Sequence, residues 1–360
     1  MSMQRPVADS GDVFGIHRSL EPAGALPQPA EKVCADFTHL YDGELLLAVE
    51  TLNVDAASFR QMEEASALAG VPAALIGEAV GERVMATVKA RGKQHNPATG
   101  SGGMLLGRVL QVTPSHPASA SLKVGDRVAT LVSLSLTPLR LDAVKAVRRE
   151  STQLDVEGEA VLFASGAFAV LDGSLPDRLA LAILDVAGAA PQVARLVKPS
   201  QTVLVLGAGG KSGILCVAEA RRCGGPEAVI VGVENHEPAA RELRELGLCT
   251  CVISGNARDA VAMRQAVLAV TGGREADVTF SCVNVEGAEM AAILCTRQRG
   301  TVYFFAMSTS FTKAALGAEG VGRDVDLLIG NGYAENHADH TLSLVKSLPN
   351  VLALFTHRYT

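Results

Sequence analysis

The spacing of apolar and polar residues divides the chain into two parts that meet near residue 175. Before that point, short strand-like runs alternate with turns rich in Pro and Gly, which predicts an irregular, barrel-like β domain; examples are ELLLAVETLNV at 44–54 and RVATLVSLSL at 127–136. After it, unbroken apolar strands such as TVLVLG at 202–207 and AVIVGV at 228–233 are joined by helical stretches. Such an alternation predicts a doubly wound parallel sheet covered by helices on both faces, so the expected fold class is α/β.

Length and charge narrow the class of protein. A chain of 360 residues exceeds what one hydrophobic core usually organises, so two domains are expected. The net charge of −6 argues against a nucleic-acid partner. No apolar run reaches the roughly 18 residues that span a bilayer, and MSMQRPVADSGD lacks the apolar core of a secretory signal, so no membrane partner is expected. Seven cysteines without a CxxC pair predict reduced thiols and a cytoplasmic protein.

The segment VLVLGAGGKSG at 203–213 predicts a dinucleotide-binding loop between a buried strand and a helix. Its glycines let the backbone approach a pyrophosphate, and the free N–H groups of the helix N-terminus attract the anion. The predicted cofactor-binding residues here are Gly207, Gly209, Gly210, Lys211, Ser212 and Gly213. A P-loop ATPase is excluded, because that motif needs glycine five positions before Gly210, where this chain has Val205.

The acid at the end of the next strand predicts which dinucleotide binds. Glu234 lies 21 residues after Gly213, followed by Asn235. A carboxylate at this place accepts hydrogen bonds from the adenosine ribose and repels a 2′-phosphate. The expected cofactor is therefore NAD, with NADP less favoured.

A β-rich first half followed by this fingerprint resembles the medium-chain dehydrogenase/reductase superfamily. LKVGDRVATL at 122–131 and VKPSQTVLVLGAGGKSG at 197–213 carry the likeness. The resemblance implies a GroES-like, partly open barrel and a Rossmann domain, with the chain returning to the barrel near residues 330–333. The predicted boundaries are 1–175 with 331–360 for the catalytic domain, and 176–330 for the dinucleotide-binding domain.

Longer strings narrow the resemblance to one zinc-free family. GSGGMLLG at 100–107, LDVAGAAPQVARLVKP at 184–199 and the stretch 301–333 are similar to L-erythro-3,5-diaminohexanoate dehydrogenases. This implies oxidative deamination of a small diamino acid to 5-amino-3-oxohexanoate and ammonia, with hydride transfer to NAD. Two alternatives stay open: a zinc-free quinone or enoyl reductase, and a non-catalytic NAD-binding protein.

No metal is expected from this resemblance. Zinc-dependent members of the superfamily carry Gly-His-Glu and a lobe of four cysteines. Here Ser101, Gly102, Gly103 and Met104 stand at the first place and the lobe is missing. Amine oxidation fits a metal-free site, because an ammonium needs only a base to expose its lone pair, whereas an alcohol benefits from zinc.

Four residues are candidates for the chemistry. Asp185 is the only charge between Arg178 and Arg195, in a stretch that borders the nicotinamide in the superfamily; helix capping is the alternative. His95 sits in the Gly-rich segment KQHNPATGSGG, where it could also be merely solvated. Lys313 and Glu319 follow the strand TVYFFAM at 301–307. The preceding Lys93 is predicted on a solvated helix face.

Further residues are candidates for binding. Asn53 and Asp55 follow a strand where the superfamily keeps substrate contacts, although an Asx turn explains them equally well. Ser101 and Arg140 complete the predicted substrate-binding set, with an ordinary surface role as the alternative for the arginine. Strand ends line the nicotinamide half of such sites, which adds three cofactor-binding candidates: Cys282, Asn284 and Phe305. The apolar TVYFFAM strand as a sheet edge would favour a homodimer or homotetramer.

Overall fold

The computed structural model describes residues 4–96, 100–306, 308–330 and 332–360. The chain forms two compact units, residues 1–181 and 182–360. This division lies close to the predicted boundary at 175. It differs in the C-terminal segment, which belongs to the second unit and does not return to the first.

A six-stranded antiparallel sheet with the order β10-β7-β6-β5-β9-β8 organises the first unit. Its central strand β5 is buried along almost its whole length, because both neighbours and the core cover it. The strands of this unit are β1 Val7–Ser10, β2 Ser19–Glu21, β3 Lys32–Val33, β4 Leu40–Asp42, β5 Glu44–Asn53, β6 Met104–Val112, β7 Arg127–Thr130, β8 Leu139–Arg148, β9 Gln153–Phe163 and β10 Phe168–Val170.

Two helices pack on this sheet and position the segment that follows them. Helix α1 spans Ala56–Leu68 and α2 spans Ile76–Arg91. Val80, Val84 and Val88 on one face of α2 join the sheet core, as their spacing of four residues requires. The helix ends at Gly92, whose φ of 69° and close approach to the Val33 carbonyl (2.1 Å from a built Cβ) leave no room for a side chain.

The second unit contains the predicted parallel sheet, with the order β13-β12-β11-β14-β15-β16. Strands on both sides of β11 run parallel to it, and every residue of β11 is buried. The strands are β11 Thr202–Leu206, β12 Val229–Glu234, β13 Cys251–Ser254, β14 Ala276–Ser281, β15 Thr296–Phe304 and β16 Asp326–Ile329. The strand order reverses between β11 and β14, the place where such sheets bind ligands beyond their carboxyl ends.

Helices follow nearly every strand of the second unit. They are α3 Asp177–Leu184 (which starts in the first unit), α4 Ala189–Leu196, α5 Lys211–Gly224, α6 Glu237–Glu245, α7 Ala260–Val270, α8 Glu289–Cys295, α9 Phe311–Gly320, α10 His337–Ser347 and α11 Pro349–Tyr359. Within the described ranges no single helix is long and apolar enough to cross a membrane, while the bent pair α3 and α4 passes that test on length and composition alone.

Two sequence expectations about this unit were wrong. TVYFFAM does not form a sheet edge, because β15 pairs with β14 on one side and with β16 on the other. The described residues after 331 pack on the second unit: the Thr341 hydroxyl donates to the Ala187 carbonyl at 2.7 Å, and the Asn350 amide to the Leu246 carbonyl at 2.8 Å. An apolar periodicity shows that these helices bury one face but not which domain they cover.

Candidate cofactor and active site

The predicted dinucleotide loop is a tight turn from β11 into α5. Gly207 has a φ of 73°, and the N–H groups of Gly207 and Ala208 both donate to the Val233 carbonyl at 2.9 and 3.0 Å. A Cβ atom on Gly213 would lie 2.1 Å from the Gly207 carbonyl oxygen. Glycine is therefore required at 207 for the backbone conformation and at 213 for the close approach of helix and strand.

The N-terminus of α5 is open at this turn. Gly210 is its N-cap and, within the described residues, no side chain caps the first turn. Gly210 is exposed, and a built Cβ there would meet only the Gly207 carbonyl oxygen, at 3.5 Å. Backbone N–H groups and the positive end of the helix dipole are thus uncovered at this turn, the arrangement that binds phosphate groups at helix N-termini.

Glu234 lies where the sequence places it, at the end of β12, and it is tied to the loop. One carboxylate oxygen accepts from the Gly209 N–H at 3.0 Å, and the other from the N–H groups of Asn235 and His236 at 2.9 and 3.0 Å. A carboxylate offers about four acceptor positions, so these three bonds leave capacity for a ribose hydroxyl. The exposed Asn235 side chain follows directly.

Asp185 is not the lone buried acid that the sequence indicated. It lies in the turn after α3, and its carboxylate accepts from the Lys211 ammonium at 2.5 Å. Both side chains are about one quarter exposed, at 23% and 25%. Burial by itself would lower the pKa of Lys211, but the Asp185 carboxylate outweighs it, so the pKa is raised. The ion pair joins the main catalytic candidate to the dinucleotide loop.

Three other cofactor candidates lie around the carboxyl ends of β14 and β15. The Cys282 N–H donates to the Leu206 carbonyl and the Phe305 N–H to the Ser281 carbonyl, both at 2.9 Å. The Cys282 thiol is 3.7 Å from the thiol of Cys216 in α5. Asn284 is exposed two residues further on. Cys282 thus adjoins the end of β11, where the loop begins.

The substrate candidates of the first unit are engaged in local bonds. Asp55 is the N-cap of α1 and accepts from the Ser58 N–H at 2.9 Å and the Ser58 hydroxyl at 2.5 Å, so the capping alternative describes it. Buried Asn53 accepts from the Gln153 amide at 3.1 Å. The Ser101 carbonyl accepts from the Asn96 N–H at 2.8 Å, and this hydrogen bond holds residues 96 and 101 of the Gly-rich segment close together.

His95 is half-buried, and its Nδ1 atom is shielded from solvent. Within the described residues its Nδ1 has no hydrogen-bond partner, and neither has Oε1 of the neighbouring Gln94. Burial, Lys93 and Arg91 lower the pKa of His95, so the imidazole is neutral near pH 7 and can accept a proton or a hydrogen bond.

Lys93 was wrongly expected on a solvated face. It is fully buried, and its ammonium donates to the carbonyls of Pro27 and Gln28 at 2.6 and 2.9 Å. Burial and the charge of Arg91 lower its pKa to about 8. The sequence pattern of basic residues at the end of this helix does not indicate that the side chain of Lys93 is buried.

The remaining candidates are occupied elsewhere or exposed. Arg140 on β8 forms ion pairs with Asp142 and Glu159 at 3.3 and 3.1 Å. Lys313 and Glu319 are exposed on α9, where the Lys313 N–H is capped by the Ser310 hydroxyl at 3.3 Å. In the second unit the structure brings neither residue into contact with the dinucleotide loop.

No metal-binding group of three or more His, Cys, Asp and Glu residues occurs across 4–96, 100–306, 308–330 and 332–360. The seven cysteines are free, and burial raises the pKa of Cys249 to about 12.

Helix α11 contacts the dinucleotide loop, which the sequence analysis did not predict. The two contacting residues are 149 positions apart along the chain, and no local pattern indicates a contact over that separation.

The two folds and the loop define the class. A mycobacterial protein complexed with NADPH matches over 88% of each chain at a TM-score of 0.58 and 15% identity. An Escherichia coli quinone oxidoreductase complexed with NADPH matches over 86% of this chain and 80% of its own, at a TM-score of 0.52 and 17% identity. These likenesses show the fold, which is a Rossmann doubly wound parallel sheet plus a β-rich, GroES-like domain.

Sequence comparison narrows the class to a family. Residues 17–172 match the model of the L-erythro-3,5-diaminohexanoate dehydrogenase N-terminal domain. Enzymes of that name from Acetoanaerobium sticklandii and Fusobacterium nucleatum are 47% and 44% identical, each over 97% of this chain and 99% of the relative. The chain belongs to the L-erythro-3,5-diaminohexanoate dehydrogenase family.

Proposed function

We propose that this chain oxidatively deaminates L-erythro-3,5-diaminohexanoate, forming 5-amino-3-oxohexanoate and ammonia while reducing a nicotinamide dinucleotide. The observation that carries the proposal is the full-length similarity to two enzymes of that name, combined with an open, glycine-lined helix N-terminus at the switch point of the parallel sheet. The quinone reductase and non-catalytic alternatives have no comparable support along the whole sequence.

The residues of the second unit fit the dinucleotide. The N-terminus of α5 would hold the pyrophosphate, Glu234 would accept from the adenosine ribose, and the backbone at Cys282 and Phe305 would border the nicotinamide. When bound, the oxidised nicotinamide supplies the acceptor for the hydride that leaves C3 of the substrate. We propose NAD as the preferred form, because the Glu234 carboxylate would repel a 2′-phosphate.

The chemistry requires a proton acceptor before hydride can leave. The C3 ammonium has a pKa of roughly 10, like that of lysine, so it is charged at neutral pH and has no lone pair. We assign its proton to Asp185, which Lys211 holds next to the dinucleotide loop, and keep neutral His95 as the second candidate. Loss of hydride then gives an iminium, water adds to C3, and ammonia leaves, which balances the reaction.

The substrate itself adds two requirements. Its second ammonium needs hydrogen-bond acceptors and its carboxylate needs hydrogen-bond donors, and Asn53 and Ser101 stay predictions from the sequence for these roles. A cytoplasmic location remains a proposal from the cysteine pattern. The sheet edge that favoured a homodimer or homotetramer is not formed by TVYFFAM, because β16 pairs with β15, so the oligomeric state stays an untested prediction.

Turnover tests the assignment directly. The purified chain should reduce NAD on addition of L-erythro-3,5-diaminohexanoate and release one ammonia per NADH formed. A quinone or an enoyl thioester offered with NADPH serves as the competing assay. Turnover of those compounds without any ammonia release from the diamino acid would reject the proposal.

A further inference from the structure

The last turn of α11 lies against the dinucleotide loop. The Arg358 guanidinium donates to the Gly209 carbonyl at 2.8 Å, and the Lys211 ammonium is 5.8 Å from the centre of the Tyr359 ring. Two consecutive residues at the end of this helix therefore contact the turn that begins α5.

This contact rests on an anchored helix. Val351 and Phe355 of α11 are fully buried, and Arg358 also forms an ion pair with Glu242 of α6. The Arg358 side chain is 18% exposed. The carboxylate of Glu242 restricts the rotation of the guanidinium, so its hydrogen bond to the loop keeps one direction.

Gly209 is consequently held at both polar ends. Its N–H donates to Glu234 at 3.0 Å and its carbonyl accepts from Arg358 at 2.8 Å. That carbonyl belongs to the peptide linking Gly209 to Gly210, the N-cap of α5. Fixing this peptide plane orders the open N–H groups beyond it before any anion arrives, and preorganisation of this kind raises affinity.

We propose that Arg358 is a positioning residue of the cofactor site, which α11 supplies by locking the Gly209 peptide. The inference rests on the binding of a nicotinamide dinucleotide at this loop and does not depend on the identity of the substrate. Arg358 acts through the loop backbone, so its loss weakens the binding of the adenosine diphosphate half and leaves the chemical step nearly intact.

Ligand titrations on the purified full chain test this role. The variants are Arg358→Gln, Arg358→Lys and Glu242→Gln, which releases the guanidinium from α6. The control is Arg244→Gln: Arg244 on α6 likewise pairs with a carboxylate, Glu237, and a hydroxyl, but does not touch the loop. The binding of NADH can be followed by its own fluorescence, and the binding of ADP-ribose by calorimetry.

Arg358→Gln is expected to raise the Kd for NADH and for ADP-ribose by the same factor, about tenfold, the effect of losing one charge-assisted hydrogen bond. Glu242→Gln should give an intermediate rise, and Arg358→Lys should recover part of the affinity. The kcat at saturating cofactor should stay within about twofold of wild type, and Arg244→Gln should leave both Kd values unchanged.

Three results would overturn the proposal. One is a Kd of Arg358→Gln within twofold of wild type. Another is an equal loss of affinity in Arg244→Gln, which would reveal a general loosening of the unit. The third applies if Arg358→Gln does not fold: wild-type Kd values for NADH in both Arg358→Lys and Glu242→Gln would then overturn the proposal. Because these titrations contain no diamino acid, a failure of the substrate assignment would leave them unaffected.

Discussion

The ion pair between Asp185 and Lys211 allows the proposed base to be separated from a merely structural acid. Asp185→Asn keeps the size of the side chain and can still accept from Lys211, but it cannot take up a proton. If Asp185 receives the proton of the C3 ammonium, kcat should fall by about 100-fold or more while the Kd for NADH changes little.

The stability cost of the same substitution follows from the exposure of the pair. Each side chain is about one quarter exposed, so the pair lies between a surface ion pair, worth up to about 1 kcal/mol, and a buried one, whose disruption costs about 3–5 kcal/mol. We therefore expect a loss of about 1–3 kcal/mol in the free energy of unfolding. For a unit of this size that lowers Tm by about 2–12 °C.

A matched substitution controls for stability. Asp277→Asn makes the same chemical change in an acid of nearly equal exposure, 25%, which pairs with Arg297 at 2.7 Å. Asp277 lies near the start of β14, at the opposite end of that strand from the loop. Its variant should melt lower but keep the wild-type kcat.

The role of Asp185 is tested by stopped-flow and steady-state assays at saturating NAD. The Kd for NADH and the Tm are measured on the same samples. Lys211→Met should reduce kcat less than Asp185→Asn does, and the double variant should show non-additive effects, because the two residues act as one unit. An Asp185→Asn enzyme that melts lower yet turns over at the wild-type rate would refute the reasoning and transfer the role to His95.

Three further predictions concern the cofactor, the metal and the pH dependence of stability. Changing Glu234 to Ser and Asn235 to Arg should shift preference from NAD toward NADP; an unchanged ratio of kcat/KM for the two cofactors would contradict the role of Glu234. Activity should survive dialysis against a chelator, and stoichiometric zinc whose removal abolishes activity would disprove metal independence. The pKa of Lys93 is lowered to about 8 in the fold against 10.5 for a free lysine, so the folded state binds fewer protons between these values and stability rises with pH across that window. Lys93→Met should lose this rise in the free energy of unfolding, which is at most about 1.4 kcal/mol per pH unit. Denaturant titrations of both proteins from pH 7 to 10.5 should therefore give unfolding free energies that diverge with pH. Parallel curves would show that Lys93 titrates normally.

The sequence by itself determined the local and periodic features of this protein. The apolar runs fixed β11 and β12, because a strand covered on both faces needs no polar alternation. The glycines at 207 and 213 are required by backbone geometry within one turn, and the acid at Glu234 follows from the length of a single strand–helix–strand unit. These inferences hold because each depends on residues that are near one another along the chain.

Only the tertiary structure decided which distant groups meet. Asp185 reads as an isolated acid until folding brings Lys211 to it across 26 positions, and Lys93 reads as a surface cation until the carbonyls of residues 27 and 28 close over it. The segment after residue 331 could cover either unit, since amphipathic helices bury one face without specifying the partner. Arg358 reaches Gly209 across 149 positions, and a hydrogen bond at that separation depends on the packing of α6 and α11, which no local spacing encodes.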